Sequence, residues 1–367
     1  MSKALQNINR MPTRTWTWAN VNDTSLHHEV PEIKAYKKNP VIGAVDTQVE
    51  LTTIEEISED TKLFFEKIEI EEETATLIKE HMNSGYAIHI KKNKNIEAPI
   101  LLQYDMDEEN QKLVDLTLVR LEEGASANVV IVYKNKGKTP VFHAGAVKFH
   151  VAEGAELKIT KIQILSDKDC HIDYTKGIVQ KEAAGRVLVA EIGAAQIISN
   201  ADILLDGEKG QADLDSVYFG DGVRKLDFNH RIQLKAKQTV ARMNARGVLG
   251  DTSEKIFKGT IDFISGASGA DGQEEEFVVL LGPKVKNISI PLLLCGEDDV
   301  IGAHACSTGK LDENKMFYLM TRGMDEIAAK KVIVEATLTP ILEKVDNEEL
   351  KIEIFNHIRA KVDKEVK

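Results

Sequence analysis

Long apolar runs are missing from this 367-residue chain, and nowhere does it approach the roughly 20 consecutive apolar residues that cross a bilayer as a helix. The opening MSKALQNINRMPTR has no apolar stretch of the kind a secretory signal needs, so a soluble, cytoplasmic protein is expected. Three cysteines, Cys170, Cys295 and Cys306, are too few and too scattered for a disulfide framework. Basic residues are in the minority: 47 Lys and Arg stand against 59 Asp and Glu, for a net charge of -12. Clusters such as Lys91-Lys92-Asn93-Lys94 are too small to form a phosphate-binding stripe, which argues against nucleic acid as a partner. Aromatic residues make up 5% of the chain against 43% hydrophobic overall, so the core must be built from Val, Ile, Leu and Ala in regular layers.

What the chain does have is alternation. From Pro31 to about Ser84, the segments PEIKAYKKNP, TTIEEISEDTKLFFEKIEI and EEETATLIKEHMNSG space apolar residues by three and four, which predicts two or three short helices ended by Asn83-Ser84-Gly85. Between residues 86 and 308 the period is two, as in Val147, Phe149, Val151 and in Ile288, Ile290, Leu292, Leu294. No helix of ten or more residues interrupts this region, which excludes βαβ winding and leaves a parallel β-helix or an antiparallel sandwich. Two Gly-Ala turns, Gly124-Ala125 and Gly154-Ala155, lie 30 residues apart as a weak internal repeat. The apolar phase slips from Leu157 and Ile159 to Ile162 and Ile164, as a strand turning a corner would require. Slip and repeat together favour the β-helix.

After Gly309 three helices are expected: Leu311 to Thr321, Asp325 to about Val345 with Asp325 as cap, and Asn347 to about Val366. In the third, Leu350, Ile354, Ile358 and Val362 form an apolar stripe, leaving Lys351, Glu353, Arg359 and Lys361 outward. The organisation read from these patterns is a helical region over 1–85, a strand core over 86–308 and a helical region over 309–367.

Candidate chemistry concentrates between Glu297 and Lys330. Val300, Gly302, His304 and Cys306 sit two apart, so an extended backbone projects them from one face, with an imidazole and a thiol side by side. Both donors suit iron or iron-sulfur species, although His-x-Cys by itself is a weak signal. Cys295 reads as buried and inert, and Cys170-His171 as a polar turn after Asp167-Lys168-Asp169. His230 shares parity with Phe228 and Ile232 and reads as a core histidine with a hydrogen-bond partner. Trp16 and Trp18 are expected to anchor the N-terminal segment, and Gly266 to Gly272 to be a loop rather than a nucleophile elbow. A Walker A sequence is absent, so any ATP dependence must come from a partner.

The order Asp298-Asp299, His304, Asp312, Phe317-Tyr318-Leu319 and Arg322-Gly323 resembles the SufB/SufD family of the SUF iron-sulfur cluster assembly machinery. The likeness continues through Leu226-Asp-Phe-Asn-His230, Ile256-Phe-Lys-Gly259 and, near the start, Met11-Pro12-Thr13-Arg14. Val285 and Ala305 stand where the SufB branch has its cysteine and glutamate, so the resemblance is closer to SufD. It implies a right-handed parallel β-helix, a single-stranded solenoid, between helical ends. It also implies a non-catalytic scaffold with a transient iron-sulfur cluster and no tightly held cofactor. A SufC-like ATPase would be gripped around Asp312, Phe317, Tyr318, Leu319, Arg322 and Gly323. A SufB-like subunit or a second copy would pair through the β-helix. Two rivals are a sole SufB-like homodimeric scaffold and, more remotely, a β-helix polysaccharide enzyme, which the low aromatic content argues against.

Overall fold

The computed structural model describes residues 5–26, 30–38, 40–43 and 46–365. Strands β1 (Val41–Ile42) and β2 (Val49–Thr53) precede helices α1 (Glu59–Glu66) and α2 (Glu72–His81). Sixteen strands then follow with no helix between them. They are β3 (Ser84–Ile90), β4 (Ile100–Met106), β5 (Lys112–Leu121), β6 (Ser126–Asn135), β7 (Phe142–Val151), β8 (Glu156–Ile164), β9 (Cys170–Val179) and β10 (Ala184–Glu191). The second eight are β11 (Gln196–Leu205), β12 (Gln211–Gly220), β13 (Lys225–Leu234), β14 (Val240–Leu249), β15 (Glu254–Phe263), β16 (Ala270–Leu280), β17 (Lys286–Cys295) and β18 (Val300–Lys310). Helices α3 (Glu313–Thr321), α4 (Glu326–Leu342) and α5 (Glu348–Glu365) end the described chain.

From β4 onward each strand lies in the sheet opposite its predecessor. Even-numbered strands from β4 to β18 form one nine-stranded sheet edged by β1, and odd-numbered strands from β3 to β17 form the other, edged by β2. From β3 onward every pairing is parallel, whereas β1 and β2 join antiparallel. The result is a parallel β-helix of about eight turns with two broad faces, not the antiparallel sandwich. Coil length varies from 26 residues (Cys170 to Gln196) to 32 (Glu254 to Lys286), so the repeat is loose in sequence although strict in space.

The Gly-Ala repeat is the visible part of a stacked turn. Gly124 N–H donates to Glu153 O and Gly154 N–H to Lys181 O, both at 3.0 Å, and the same bond recurs from Glu182 to Glu208 O, Lys209 to Lys237 O, Gln238 to Ser268 O and Gly269 to Asp299 O. All six donors have positive φ, between 52° and 75°. Glycine adopts that conformation without Cβ crowding; at Glu182, Lys209 and Gln238 the rungs above and below hold a side-chain-bearing residue in it. With Asn93, which donates to Glu123 O at φ 58°, four of the seven rungs are thus invisible to a search for glycine.

Apolar side chains such as Tyr104, Phe149, Phe228 and Phe263 fill the space between the sheets. The outer faces are covered too. Val334, Leu338, Ile354 and Ile358 of α4 and α5 lie on Val130, Ile162, Leu188 and Phe219 of the even sheet. Leu5, Ile8, Leu77 and Ile78 cover Val114, Ala144 and Ile172 of the odd sheet. This corrects the reading of the phase slip: β8 is one uninterrupted strand whose Leu157 and Ile159 face the interior while Ile162 and Ile164 lie under the C-terminal helices. A strand buried on both faces loses alternation as surely as one that bends.

Other expectations are met in part. PEIKAYKKNP forms no helix over its described residues, and TTIEEI is mostly strand β2 and a 3-10 turn at Ile54–Glu56, so two helices rather than three precede β3. Asp325 caps α4 by accepting from Ala328 N–H at 2.7 Å. In α5 the stripe Leu350, Ile354, Ile358, Val362 is buried, but Lys351 and Lys361 are buried as well: Lys361 reaches Asp221 at 2.9 Å and Lys351 lies 2.7 Å from Glu348. The end of the predicted third helix at Val366 lies outside the described residues. Trp16 and Trp18 are exposed, Trp18 to 84%, so they do not anchor the N-terminal segment. Met11 and Val21, packed with Ile290, do so instead.

His230 is buried as expected, and its Nδ1 lies 3.0 Å from Ser216 Oγ. Burial holds its pKa down to about 3. The unfolded imidazole protonates near pH 6.5 while the folded one stays neutral, so this contribution is full above that pH and falls by about 1.4 kcal/mol per unit on acidification towards 3. Urea unfolding at pH 7.5 and 5.0 is therefore expected to show a loss about 2 kcal/mol larger in the native protein than in His230→Gln. Parallel pH profiles would mean that the folded imidazole titrates normally.

Candidate functional site

The two ends of the solenoid are finished differently. At the N-terminal end β1 and β2 turn antiparallel, and Tyr36 packs its ring edge against Tyr104. At the other end β17 and β18 are the last strands of their sheets, 10 and 11 residues long, and among the described residues nothing pairs with their outer edges. Residues 301–308 of β18 are exposed throughout. Unpaired edges of this length present a row of free N–H and C=O groups that a second strand can complete.

The inner face of this last coil carries the predicted donors. A Cβ on Gly302 would come 2.9 Å from Leu293 Cδ2, which fixes the parity: Val300, Gly302, His304, Cys306 and Thr308 look across to β17. Asn287 Nδ2 donates to Thr308 Oγ1 at 2.9 Å and ties the two strands. His304 and Cys306 are thus on one face as expected, exposed because no further coil covers them. Cys295 is exposed too, contrary to expectation; it is in register with the interior residue Phe263, and a position that would be core in any earlier coil is open in the final one.

Beneath them lies a charged floor that periodicity did not reveal. Glu274 and Glu276 are in register with His304 and Cys306. Lys255 Nζ, fully buried, donates to Glu276 Oε1 at 2.6 Å and to Ser289 Oγ at 3.0 Å, and Tyr218 O–H donates to the same Glu276 oxygen at 2.7 Å. Both oxygens of Glu274 are buried without a hydrogen-bond partner among the described residues. Burial, then the neighbouring Glu276, pushes the Glu274 pKa up to about 8 against the pull of Lys255. Burial followed by Glu274 and Glu276 pushes the Cys306 thiol up to about 12. The sulfur of the free chain thus stands as a thiol above two carboxyl groups and one ammonium. The available sequence signal was Glu274, Glu276 and Lys255 standing at interior parity within strands, where charge is costly.

Directly after β18 comes α3. Asp312 caps it by accepting from Asn314 and Lys315 N–H, and Gly323, at φ 94°, ends it. Arg322 stacks its guanidinium 5.1 Å from the Tyr318 ring centre, and Leu319 is half-buried. Phe317 is 70% and Tyr318 56% exposed, and Met320 and Met324 are exposed beside them. Three of the six residues singled out here, Asp312, Arg322 and Gly323, shape the ends of the helix; Phe317 and Tyr318 are presented to solvent. Gly266 to Gly272 is a tight turn entering β16, where Ser268 Oγ donates to Asp299 Oδ2 at 2.7 Å, and is not an elbow. Cys170-His171 is no polar turn: both residues are buried in β9. Burial, then His143 and Lys161, holds the His171 pKa well below its usual value.

A two-faced parallel solenoid with helices laid on its outer sides and one end left open defines the structural class. The family model for the SUF system FeS cluster assembly SufBD core domain matches residues 104–337, and the chain belongs to that family of iron-sulfur cluster assembly proteins. It is 24% identical over 339 residues to the iron-sulfur cluster assembly protein SufD of Bacillus subtilis, covering 87% of this chain and 74% of that one. A SufBD family protein of Staphylococcus saprophyticus is 23% identical over 272 residues, 72% of this chain and 57% of its own length. One from Mycobacterium tuberculosis is 24% identical over 271 residues, 72% and 67% of the two chains. The likeness to SufD read from the sequence stands. No helix among the described residues is long and apolar enough to cross a membrane.

Proposed function

We propose that this chain is a non-catalytic scaffold subunit of a SUF-type complex that assembles iron-sulfur clusters in the cytoplasm, with ATP hydrolysis supplied by a SufC-like ATPase. The observation that carries the reading is the adjacency of an open solenoid end to an exposed aromatic helix. The free edges of β17 and β18 suit strand addition by a SufB-like subunit or a second copy of this chain. His304 and Cys306, facing that junction, are the candidate ligands for iron or a transient cluster passing through as cargo. The region 309–367 is the ATPase handle, α3 its contact, and 86–308 the rigid body, with 1–85 bracing it. Val285 and Ala305, in place of the SufB-type cysteine and glutamate, disfavour the sole homodimeric scaffold.

Aromatic anchors at the centre of an interface each account for about 2 kcal/mol or more of binding. Fluorescence anisotropy with the purified SUF ATPase, with and without ATP, is expected to show association that Phe317→Ala/Tyr318→Ala weakens at least about 100-fold. The circular dichroism of the variant should be unchanged, because both side chains are exposed. Absence of association in either nucleotide state sinks the docking.

A further inference from the structure

In the first half of the solenoid, well before the open end, six consecutive strands turn polar side chains into the interior. Asp115 (β5), Tyr133 (β6), His143 (β7), Lys161 (β8), His171 and Asp173 (β9) and Glu191 (β10) are all at least 98% buried. Gly145 leaves the room they need: a Cβ there would lie 2.5 Å from Asp115 Oδ1 and 2.8 Å from His143 Nε2.

Their hydrogen bonds run in one direction. Tyr133 O–H donates to Asp115 Oδ2 at 3.1 Å, and His143 Nε2 lies 2.7 Å from Asp115 Oδ1. A carboxylate only accepts, so His143 carries its proton on Nε2. His143 Nδ1 then accepts from His171 Nδ1–H, the two nitrogens being 2.8 Å apart. The consequence falls on His171: its Nε2 is left with a bare lone pair. It faces Glu191 Oε2 at 3.7 Å, a pair of acceptors with no proton to share when the carboxylate is ionised. Among the described residues neither oxygen of Glu191 has a hydrogen-bond partner. One donor atom each from His171, Asp173 and Glu191 lies within 4.8 Å of the others.

Hydrogen bonding supplies an independent argument. Three carboxyl groups, Asp115, Asp173 and Glu191, share this dry interior with one ammonium, Lys161, which pairs with Asp173 and donates to Thr175 Oγ1 at 3.0 Å. Asp115 is held by Tyr133 and His143 and Asp173 by Lys161, whereas Glu191 is left without a hydrogen-bond partner among the described residues, and a buried polar group in that state is expensive unless it binds metal. Metal–ligand bonds near 2.1 Å set tetrahedral ligand separations of roughly 3.4 Å, close to the His171–Glu191 gap. An imidazole with two carboxylates selects Zn, Fe or Mn over Ca or Mg, and a histidine oriented through its other nitrogen is the usual outer-shell arrangement.

We propose that His171, Asp173 and Glu191 form a buried site for one divalent first-row transition-metal ion, with His143 and Asp115 as positioning residues that fix the His171 tautomer. This site is separate from His304 and Cys306 and does not depend on the scaffold reading. Because the interior is sealed, the test loads it by refolding the full chain from urea with Co2+, following the d–d absorption bands, and with Zn2+, followed by metal analysis after desalting. One ion per chain is expected, retained in His304→Ala/Cys306→Ala and lost at least 100-fold in affinity in Glu191→Gln. That variant is isosteric, and its fold is checked by circular dichroism. A His143→Gln variant should keep the ion but shift the Co2+ spectrum, which a purely structural histidine would not do. Refolded protein that retains no metal, or a Glu191→Gln variant that binds as well as the native chain, overturns the assignment.

Discussion

Replacing Lys255 with methionine is expected to lower the free energy of unfolding by about 3–5 kcal/mol, the usual cost of removing one partner from a buried ion pair. Methionine keeps the length and apolar stem of lysine, so packing against Tyr218 and Phe257, whose rings lie 5.7 and 5.6 Å from Nζ, is largely retained. What is lost is, among the described residues, the only ammonium hydrogen-bonded to Glu276, 2.6 Å away. Glu276 would keep the Tyr218 hydroxyl, but two carboxyl groups, Glu274 and Glu276, would share an interior with no countercharge. Lys255→Met/Glu276→Leu should recover to within about 2 kcal/mol of the native protein, because an apolar pair removes the charge along with its partner. Urea unfolding, with hydrogen exchange over β15–β18 to localise the effect, decides it. A single variant costing less than 1 kcal/mol would show that water already reaches Glu276.

Lys258→Met, three residues along the same strand, is expected to cost a comparable 3–5 kcal/mol but to fail in a different place. Lys255 faces the interior and Lys258 the outer face of the odd sheet. Lys258 Nζ donates to Asp227 Oδ1 at 2.6 Å and to Asn9 O at 2.9 Å. Asn9 returns its side-chain N–H to Asp227 Oδ1 at 2.6 Å, and Asn229 Nδ2 donates to Arg10 O at 2.6 Å. This knot straps the N-terminal segment across β13 and β15, with Ile8 and Val21 fully buried beside it. Without the ammonium, Asp227 is left buried with amide donors only, and the strap detaches. Trypsin should then cut after Arg10 and Arg14 at concentrations that leave the native chain intact, while the strands stay protected. An unchanged digestion pattern would mean that the apolar contacts of Met11 and Val21 hold the strap without the charge.

That knot explains what the sequence resemblance had detected. Asp227 belongs to Leu226-Asp-Phe-Asn-His230, Lys258 to Ile256-Phe-Lys-Gly259, and Asn9 lies two residues before Met11-Pro12-Thr13-Arg14; three stretches far apart in the chain meet in one set of hydrogen bonds. Their roles are structural. Nothing in the period of any one stretch could show that they touch, because contacts across 218 and 249 residues leave no local pattern.

The alternation from 86 to 308 and the cap Asp325 were legible, because backbone pleat and helix ends impose their demands on neighbouring residues. So was the shared face of His304 and Cys306. Cys170-His171 was misread as a turn because polar residues inside a solenoid look, in one dimension, like polar residues outside it. The phase slip in β8 failed for the mirror reason: the covering helices come from the far end of the chain.

By itself, then, the sequence determined that many short strands would stack with helices at either end, and which side chains would share a face, since these depend on periods of two and 3.6 residues. Only the tertiary structure decided which faces became interior, which charges met there, and which end stayed open. Burial is a property of what lies above and beside a strand, and in a solenoid those neighbours are a full coil or half the chain away.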